Sequence, residues 1–362
     1  MNILIDIGHP AHVHIFRNAA HNFIRDGHKV LFTLREKEFE KELLESEGFE
    51  YKSFGKKYNS LTGKAIGLLK FDFMEWRQCL KFKPDILLSH GSPYAAQASF
   101  LYRKPHITLN DTFNMEQVRL CEPFSEVVLT GIYEHPVISK KEIHYAGYHE
   151  LAYLHPKYYQ PDRSILKELG VSEEDKYVLI RFIAWNATHD RGHQGISESN
   201  KIAAVKELSK YAKVFISSEG KLPEALEEFR LKTKPERIFD VIAFASLVWG
   251  ESRTIPSEAS MLGVPSIINY DSGSYYLKDQ QDNYGLCFCY SESLEDQRNA
   301  LDKCLELLGR DKSDLSSEWQ LKRKKLLEDH IDVTAFLTWF VEEYPKSLQI
   351  MKENPDYHYN FR

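Results

Sequence analysis

Short apolar runs alternate with helical stretches twice over along one chain, and this order constrains the sequence more than any other feature. NILID (2–6), KVLFT (29–33), DILL (85–88) and HITL (106–109) serve the first part. YVLIRFI (177–183), KVFIS (213–217) and PSIIN (265–269) serve the second. Helix-spaced patterns over 11–25, 36–47 and 197–211 lie between them. Strands and helices in this order predict βαβ units and parallel, twisted sheets. The order lapses between about Tyr133 and Asp175, where Pro136, Pro156 and Pro161 sit among tyrosines. The expected fold is α/β: two Rossmann-like domains, residues 1–165 and 166–332, facing across a cleft. A C-terminal helix, within 333–362, is expected to pack back across the domain junction. A length of 362 residues suits two domains of ordinary size.

Composition removes several functions. Fifty-three acidic against 47 basic residues leave a net charge of −6, the wrong sign for a non-specific nucleic-acid binder. The one basic run, LKRKK (321–325), is flanked by Glu318, Glu328 and Asp329 and reads as a solvated helix face. The longest apolar run, Val241–Trp249, is about half of what a membrane span needs. Asp6 and His9 interrupt the apolar start, so no signal peptide is expected. A cytoplasmic protein follows, with peripheral membrane contact and oligomer formation left open. Five scattered cysteines without a CxxC pair read as small buried hydrophobes, Cys287 and Cys289 sharing one strand face.

In open parallel sheets, ligands bind where strands end and helices begin. Four polar segments hold such positions: GHPAHVH (8–14), HGSPYAA (90–96), NATHDRGHQG (186–195) and GESRTIPSEASMLGVP (250–265). The last pairs a small polar turn with a helix start, whose free N–H groups attract phosphate. Ser252 and Thr254 add hydroxyl donors, Arg253 a permanent cation, and Glu258 an acceptor for ribose hydroxyls. An ordinary capped helix would give the same pattern.

GESRTIPSEASMLGVP resembles the nucleotide-binding loop and helix of GT-B sugar-nucleotide enzymes, including UDP-N-acetylglucosamine 2-epimerase and the transferase that makes lipid II. The epimerase pattern S-G-G-x-x-E-E-A-x-x-L-G-x-P puts its phosphate-binding Ser at Ser252 and its ribose-binding Glu at Glu258. Arg253 and Thr254 stand where the epimerase has two glycines. THDR (188–191) is similar to a second epimerase loop, with His189 at the motif His and Asn186 and Asp190 beside it. The acid/base carboxylates diverge: Ser92 follows His90-Gly91, and Asp111 is what remains of the second. LIDIGHPAHVHIF, HGSPYAA, LNDT, YAGYHELAYL and RFIAWNATHD together identify the chain as a member of an uncharacterised GT-B-like family. The resemblance implies a place in surface-polysaccharide or glycoconjugate synthesis.

The catalytic candidates are His9, His12, His14, Asp111 and His189. A histidine near its ordinary pKa suits proton removal from a hydroxyl. His12 and His14 cannot face one way, so one of them is the expected base; Asp111 is either its partner or a helix N-cap. Glu150 reads as an exposed carboxylate. His21 and His28 read as structural. Gly8, Gly250, Glu251, Ser252, Arg253, Thr254, Glu258, Asn186 and Asp190 form the expected nucleotide-sugar site. The H-x-H pair lacks a third ligand, so no metal is expected, and no cofactor beyond a nucleotide sugar, UDP-linked by resemblance. The expected function is a GT-B glycosyltransferase acting on a saccharide or lipid-linked acceptor. The alternatives are a 2-epimerase-like enzyme, or a non-catalytic sugar-nucleotide binder of an assembly complex. No nucleic-acid partner is expected.

Overall fold

The computed structural model describes residues 1–56, 58, 61–183, 195–218, 220–270 and 274–362. The chain forms two compact units, Met1–Tyr153 with His330–Arg362, and Leu154–Asp329. It crosses between them at 153/154 and 329/330, where the sequence pattern suggested 165/166 and 332/333. Among the described residues no helix is long and apolar enough to cross a membrane.

The first unit contains β1 (Asn2–Ile7), α1 (Pro10–Arg25), β2 (Lys29–Glu36), α2 (Glu40–Ser46), β3 (Tyr51–Lys56) and α3 (Leu61–Phe82). It continues with β4 (Ile86–His90), α4 (Pro93–Tyr102), β5 (His106–Leu109), α5 (Met115–Cys121), β6 (Val127–Gly131), β7 (Glu142–Tyr145) and α6 (Leu151–Leu154). The strands form one sheet in the order β3-β2-β1-β4-β5-β6-β7. Every pairing is parallel. Helices on a parallel sheet bury its strands on both faces, which is why β1, β4 and β6 read as apolar runs. The order turns back between β1 and β4, the switch point at which α/β sheets open a crevice. GHPAHVH and HGSPYAA follow those two strands.

A buried ionic network underpins this switch point. Asp6, on β1, accepts from both Nη atoms of Arg35 at 2.7 Å, from Thr33 at 3.0 Å and from Ser92. Glu75, on α3, shares the same Thr33 hydroxyl at 2.8 Å. Burial, and then the Asp6 charge, push Glu75 well above its ordinary pKa; burial lifts nearby Asp72 to about 7. Asp6 therefore does more than interrupt an apolar start: it fixes the ends of β1, β2 and β4 relative to one another.

The second unit holds α7 (Ser164–Leu169), β8 (Tyr177–Phe182), α8 (Glu198–Leu208), β9 (Lys213–Ser218), α9 (Ile238–Ala243) and β10 (Leu247–Gly250). Then follow α10 (Thr254–Leu262), β11 (Ser266–Asn269), α11 (Tyr275–Tyr284), β12 (Cys287–Tyr290), α12 (Leu294–Leu308) and α13 (Lys312–Asp329). Its parallel sheet has the order β12-β11-β10-β8-β9, so its switch point lies between β8 and β10. The segments after those strands are NATHDRGHQG and GESRTIPSEASMLGVP. Cys287 is buried, but Cys289 is only half-buried, because β12 is an edge strand.

The C-terminal segment belongs to the first unit. The expected single helix divides into α14 (Val333–Glu342) and α15 (Lys346–Glu353) around Pro345, which has no N–H to continue the ladder. α14 packs on α1, with the Asn22 amide donating to Thr338 Oγ1 at 3.1 Å. The Ala152 carbonyl accepts from both Asn18 and Thr334 at 2.7 Å.

Candidate functional site

At the switch point of the first sheet, two imidazoles hold one carboxylate. His90 ends β4, Asp111 follows β5, and His149 lies just before α6. His90 Nε2 is 3.0 Å from Asp111 Oδ1, and His149 Nδ1 is 3.1 Å from Oδ2. Asp111 is not the helix N-cap: Asn114 has that role, its side chain accepting from Glu116 N.

The electrostatics separate the three. Burial disfavours charge on Asp111, but the two histidines overcome it and hold the carboxyl well below the ordinary range. Burial likewise opposes a charge on His90, yet the Asp111 charge and hydrogen bond raise its pKa. His149 is lowered, by burial first, with Asp111 opposing and His90 adding. Below the raised His90 pKa the arrangement is an imidazolium–carboxylate pair, backed by the His149 imidazole, whose burial favours the neutral form with Nδ1–H donating to the carboxylate. That tautomer leaves a lone pair on His149 Nε2, which is buried and makes no hydrogen bond; the nearby Tyr145 hydroxyl is in the same state. Unpaired buried polar atoms cost about 1–3 kcal/mol each. Their place beside a carboxylate held in its charged form makes this cluster the candidate site. The Asp111 side chain keeps 15% of its surface exposed, against 8% for His90 and 2% for His149, so Asp111 is the most exposed member of the clamp.

His90, Asp111 and His149 also offer ligand atoms within 4.8 Å of one another, a spacing that could accept an ion. The contacts of 3.0 and 3.1 Å are ordinary hydrogen-bond lengths, each filled by a proton.

The N-terminal histidines divide by helix geometry. GHPAHVH is not an extended loop: α1 begins at Pro10, so His12 and His14, two residues apart, project to opposite sides. His14 is buried against Tyr153, and burial, then the charges of Arg17 and His9, push it down to about 3. His9 is the N-cap of α1, its Nδ1 accepting from Ala11 N at 3.2 Å. His12 joins the site, its ring 4.6 Å from that of His90. Its Nδ1 accepts from Gly8 N at 3.3 Å, a contact that puts the proton of the neutral ring on Nε2. His21 pairs with Glu47, and His28 with Glu342 and the N-terminal amine. Glu150 is buried, not exposed, and its charge acts on His90 and Tyr145.

In the second unit, Gly250 ends β10 because nothing larger fits. A Cβ there would lie 2.3 Å from the Arg181 carbonyl, which accepts from Glu251 N at 3.0 Å. Gly250→Ala is expected to cost about 1–3 kcal/mol through overpacking, read as a lower urea midpoint at unchanged slope. Glu251 is fully buried and already engaged. Its carboxylate accepts from Ile183 N at 3.2 Å and Ile196 N at 2.7 Å, and pairs with Lys201 Nζ at 3.0 Å. It fastens both flanks of 184–194 and is not available to a nucleotide. Asn186, His189 and Asp190 lie outside the described residues. α10 starts at Thr254 without a side-chain cap, Ser252 and Arg253 are partly exposed before it, and Glu258 is buried on its second turn. The Arg253 guanidinium lies 5.1 Å over the Tyr270 ring.

His90 and His149 were within the segments HGSPYAA and YAGYHELAYL, but neither stood out as catalytic. The usable signal was that both segments end strands of a parallel sheet and carry a histidine there.

Solved structures share this architecture across nearly the whole chain. The UDP-GlcNAc 2-epimerase from Neisseria meningitidis, bound to UDP-GlcNAc, superposes with a TM-score of 0.65 at 14% identity, covering 91% of this chain and 100% of its own. MurG from Acinetobacter baumannii gives 0.60 at 12% identity, with 94% and 99% covered. The fold is therefore GT-B, as its motifs implied. An uncharacterized protein of Methanocaldococcus jannaschii, MJ0665, is 24% identical over 281 residues, which are 75% of this chain and 82% of that protein. Residues 1–281 match the model of a family described as a protein of unknown function, and the chain belongs to that family, DUF354.

Proposed function

We propose that the chain is a sugar-nucleotide-dependent glycosyltransferase, using a UDP-linked donor and a saccharide or lipid-linked acceptor in surface-polysaccharide or glycoconjugate synthesis. The observation that carries the reading is the single accessible carboxylate held ionised between His90 and His149. An attacking hydroxyl acidifies as its oxygen bonds to the anomeric carbon. A carboxylate of low pKa is then a sufficient proton acceptor, provided that it is oriented and charged beforehand. Asp111 takes this proton; His90 and His149 are positioning residues; His12 donates a hydrogen bond to the sugar or acceptor. The bond from the anomeric carbon to the diphosphate breaks as the new one forms.

The leaving diphosphate falls to the second unit. The uncapped N–H groups of α10, the hydroxyls of Ser252 and Thr254, and Arg253 stabilise it, while Gly250 lets the backbone approach and Glu258 receives ribose hydroxyls. A GT-B neighbour bound to UDP-GlcNAc supports UDP as the nucleotide. Arg253→Ala is expected to weaken UDP binding about tenfold, the loss of one charge-assisted contact. Unchanged affinity by calorimetry would remove Arg253 from the site.

The transferase reading is tested by incubating the protein with a panel of UDP-sugars, alone and with saccharide or lipid-linked acceptors. Release of UDP that depends on an acceptor is expected. An epimer formed from UDP-GlcNAc without an acceptor replaces the reading with a 2-epimerase, and tight UDP binding without turnover replaces it with a non-catalytic binder.

A further inference from the structure

A second cluster of ligand side chains lies away from the carboxylate clamp, on the edge of the first sheet. Glu142 and His144 are two residues apart on β7 and so share a face, and His135 reaches them from the connection after β6. Ligand atoms of the three lie within 4.8 Å of one another. Two of the three, Glu142 and His135, are already oriented by the backbone. Glu142 Oε1 accepts from Ile138 N at 2.7 Å and Ser139 N at 3.0 Å. His135 Nδ1 lies 3.0 Å from the Pro136 carbonyl, a contact that needs the proton on Nδ1 and leaves Nε2 with its lone pair. An imidazole whose other nitrogen is tied to a carbonyl, beside a carboxylate that is itself held, forms the outer shell typical of metal ligands.

The remaining Glu142 oxygen decides between an ion pair and an ion site. Oε2 is buried and makes no hydrogen bond, and His144 Nε2 stands 3.4 Å from it. A charge-assisted N–H···O contact is about 2.7–2.9 Å. Two ligand atoms on a tetrahedron of radius about 2.0–2.1 Å are separated by about 3.3 Å. The gap matches the tetrahedral edge, whereas the contacts in the Asp111 clamp, at 3.0 and 3.1 Å, match hydrogen bonds.

We propose that His135, Glu142 and His144 bind a divalent transition-metal ion of the zinc class, with the fourth position open to water. Two imidazole ligands favour such an ion over magnesium or calcium, which require oxygen. Phe113 stacks on His135 at 4.3 Å, and Tyr133 and His144 also pack on that ring. Phe113 has φ +50°, a strained value for an aromatic residue, and its N–H donates to Asn110 Oδ1 at 3.0 Å. The ion therefore braces the turn that carries Asp111, two residues before Phe113. This site stands or falls independently of the transferase reading.

The test is a Co²⁺ titration of the chelator-stripped full chain, followed by its visible absorption and by calorimetry. Binding of one ion per chain, with a visible band of tetrahedral type, is expected. Glu142→Gln and His144→Ala should each weaken it by at least about tenfold, while His90→Ala and His149→Ala leave it intact. His135→Ala, a change at a partly exposed position, serves as the folding control: its single cooperative transition without metal shows that it folds, at a midpoint lowered by the ring contacts it loses, and Zn²⁺ should raise the parent's midpoint but not the variant's. No stoichiometric binding, or binding lost with His90 or His149 instead, overturns the proposal.

Discussion

Asp111→Asn is expected to lower glycosyl transfer by about 10²–10⁴-fold, while UDP affinity stays within a factor of two of the parent. The substitution keeps the shape of the side chain and removes its charge. An amide has one acceptor oxygen, so only one of the two imidazole contacts at 3.0 and 3.1 Å survives. His90 also loses the partner that raises its pKa against burial. Because α10 belongs to the other unit, nucleotide binding and proton transfer should separate cleanly under mutation. Turnover within threefold of the parent would remove Asp111 from the chemistry.

The same pair sets an alkaline limit. The folded pKa of His90 is raised, so the imidazolium–carboxylate contact is complete below the ordinary histidine value and is lost as pH rises through the raised one. Asp111 is depressed, so its contribution is present above the ordinary aspartate value and is lost only as pH falls through the lower folded one. The clamp is thus intact across the intervening range. His149→Gln should lower kcat with KM nearly unchanged, as expected of a residue that orients the carboxylate without touching substrate.

A second large effect is expected in acid. Burial pushes His14 and His106 down to about 3 in the folded chain, His14 with added repulsion from Arg17 and His9. His106 is held neutral between two hydroxyls, Ser89 and Ser125, each at 2.9 Å. As pH falls below about 6.5, the unfolded chain takes up these protons and the folded chain does not. Stability then declines by about 1.4 kcal/mol per histidine for each pH unit until the folded values are reached. Together the two should remove on the order of 4 kcal/mol between pH 6.5 and 5, a large share of a typical domain's margin. Urea unfolding at pH 7.5 and 5 measures the difference, and His106→Gln should roughly halve it. A midpoint that does not move between those pH values would contradict the buried, neutral assignment of both rings.

The fold was legible in the sequence at most strands that carry an apolar run, including β9 at the edge of the second sheet, but not at the buried β6. β5 coincides with the HITL run, and β1, β8 and β9 differ from their apolar runs by one residue at an end. β3 and β7, the two edges of the first sheet, were not legible, because edge strands such as YKSFGK and EIHY carry polar residues. The same polarity hides Glu142 and His144, which depend on a loop histidine for their meaning. Within the candidate site, Asp111 and His12 could be picked out because polar residues after an apolar run are conspicuous. His149 could not, since its partner lies 38 residues earlier and only the β5–β7 arrangement joins them. Glu251 was legible as part of a loop but not as its fastening, because the backbone groups that it holds belong to β8's end and to the start of α8's approach.

The central claim divides the work: the second unit binds the nucleotide, and the Asp111 clamp of the first performs proton transfer. Calorimetric titration of UDP into the parent, Asp111→Asn and Arg253→Ala proteins tests it most directly. The account predicts binding by the parent, equal affinity for Asp111→Asn and about tenfold weaker affinity for Arg253→Ala. Absence of UDP binding by the parent, or loss of affinity with Asp111→Asn in place of Arg253→Ala, would contradict it.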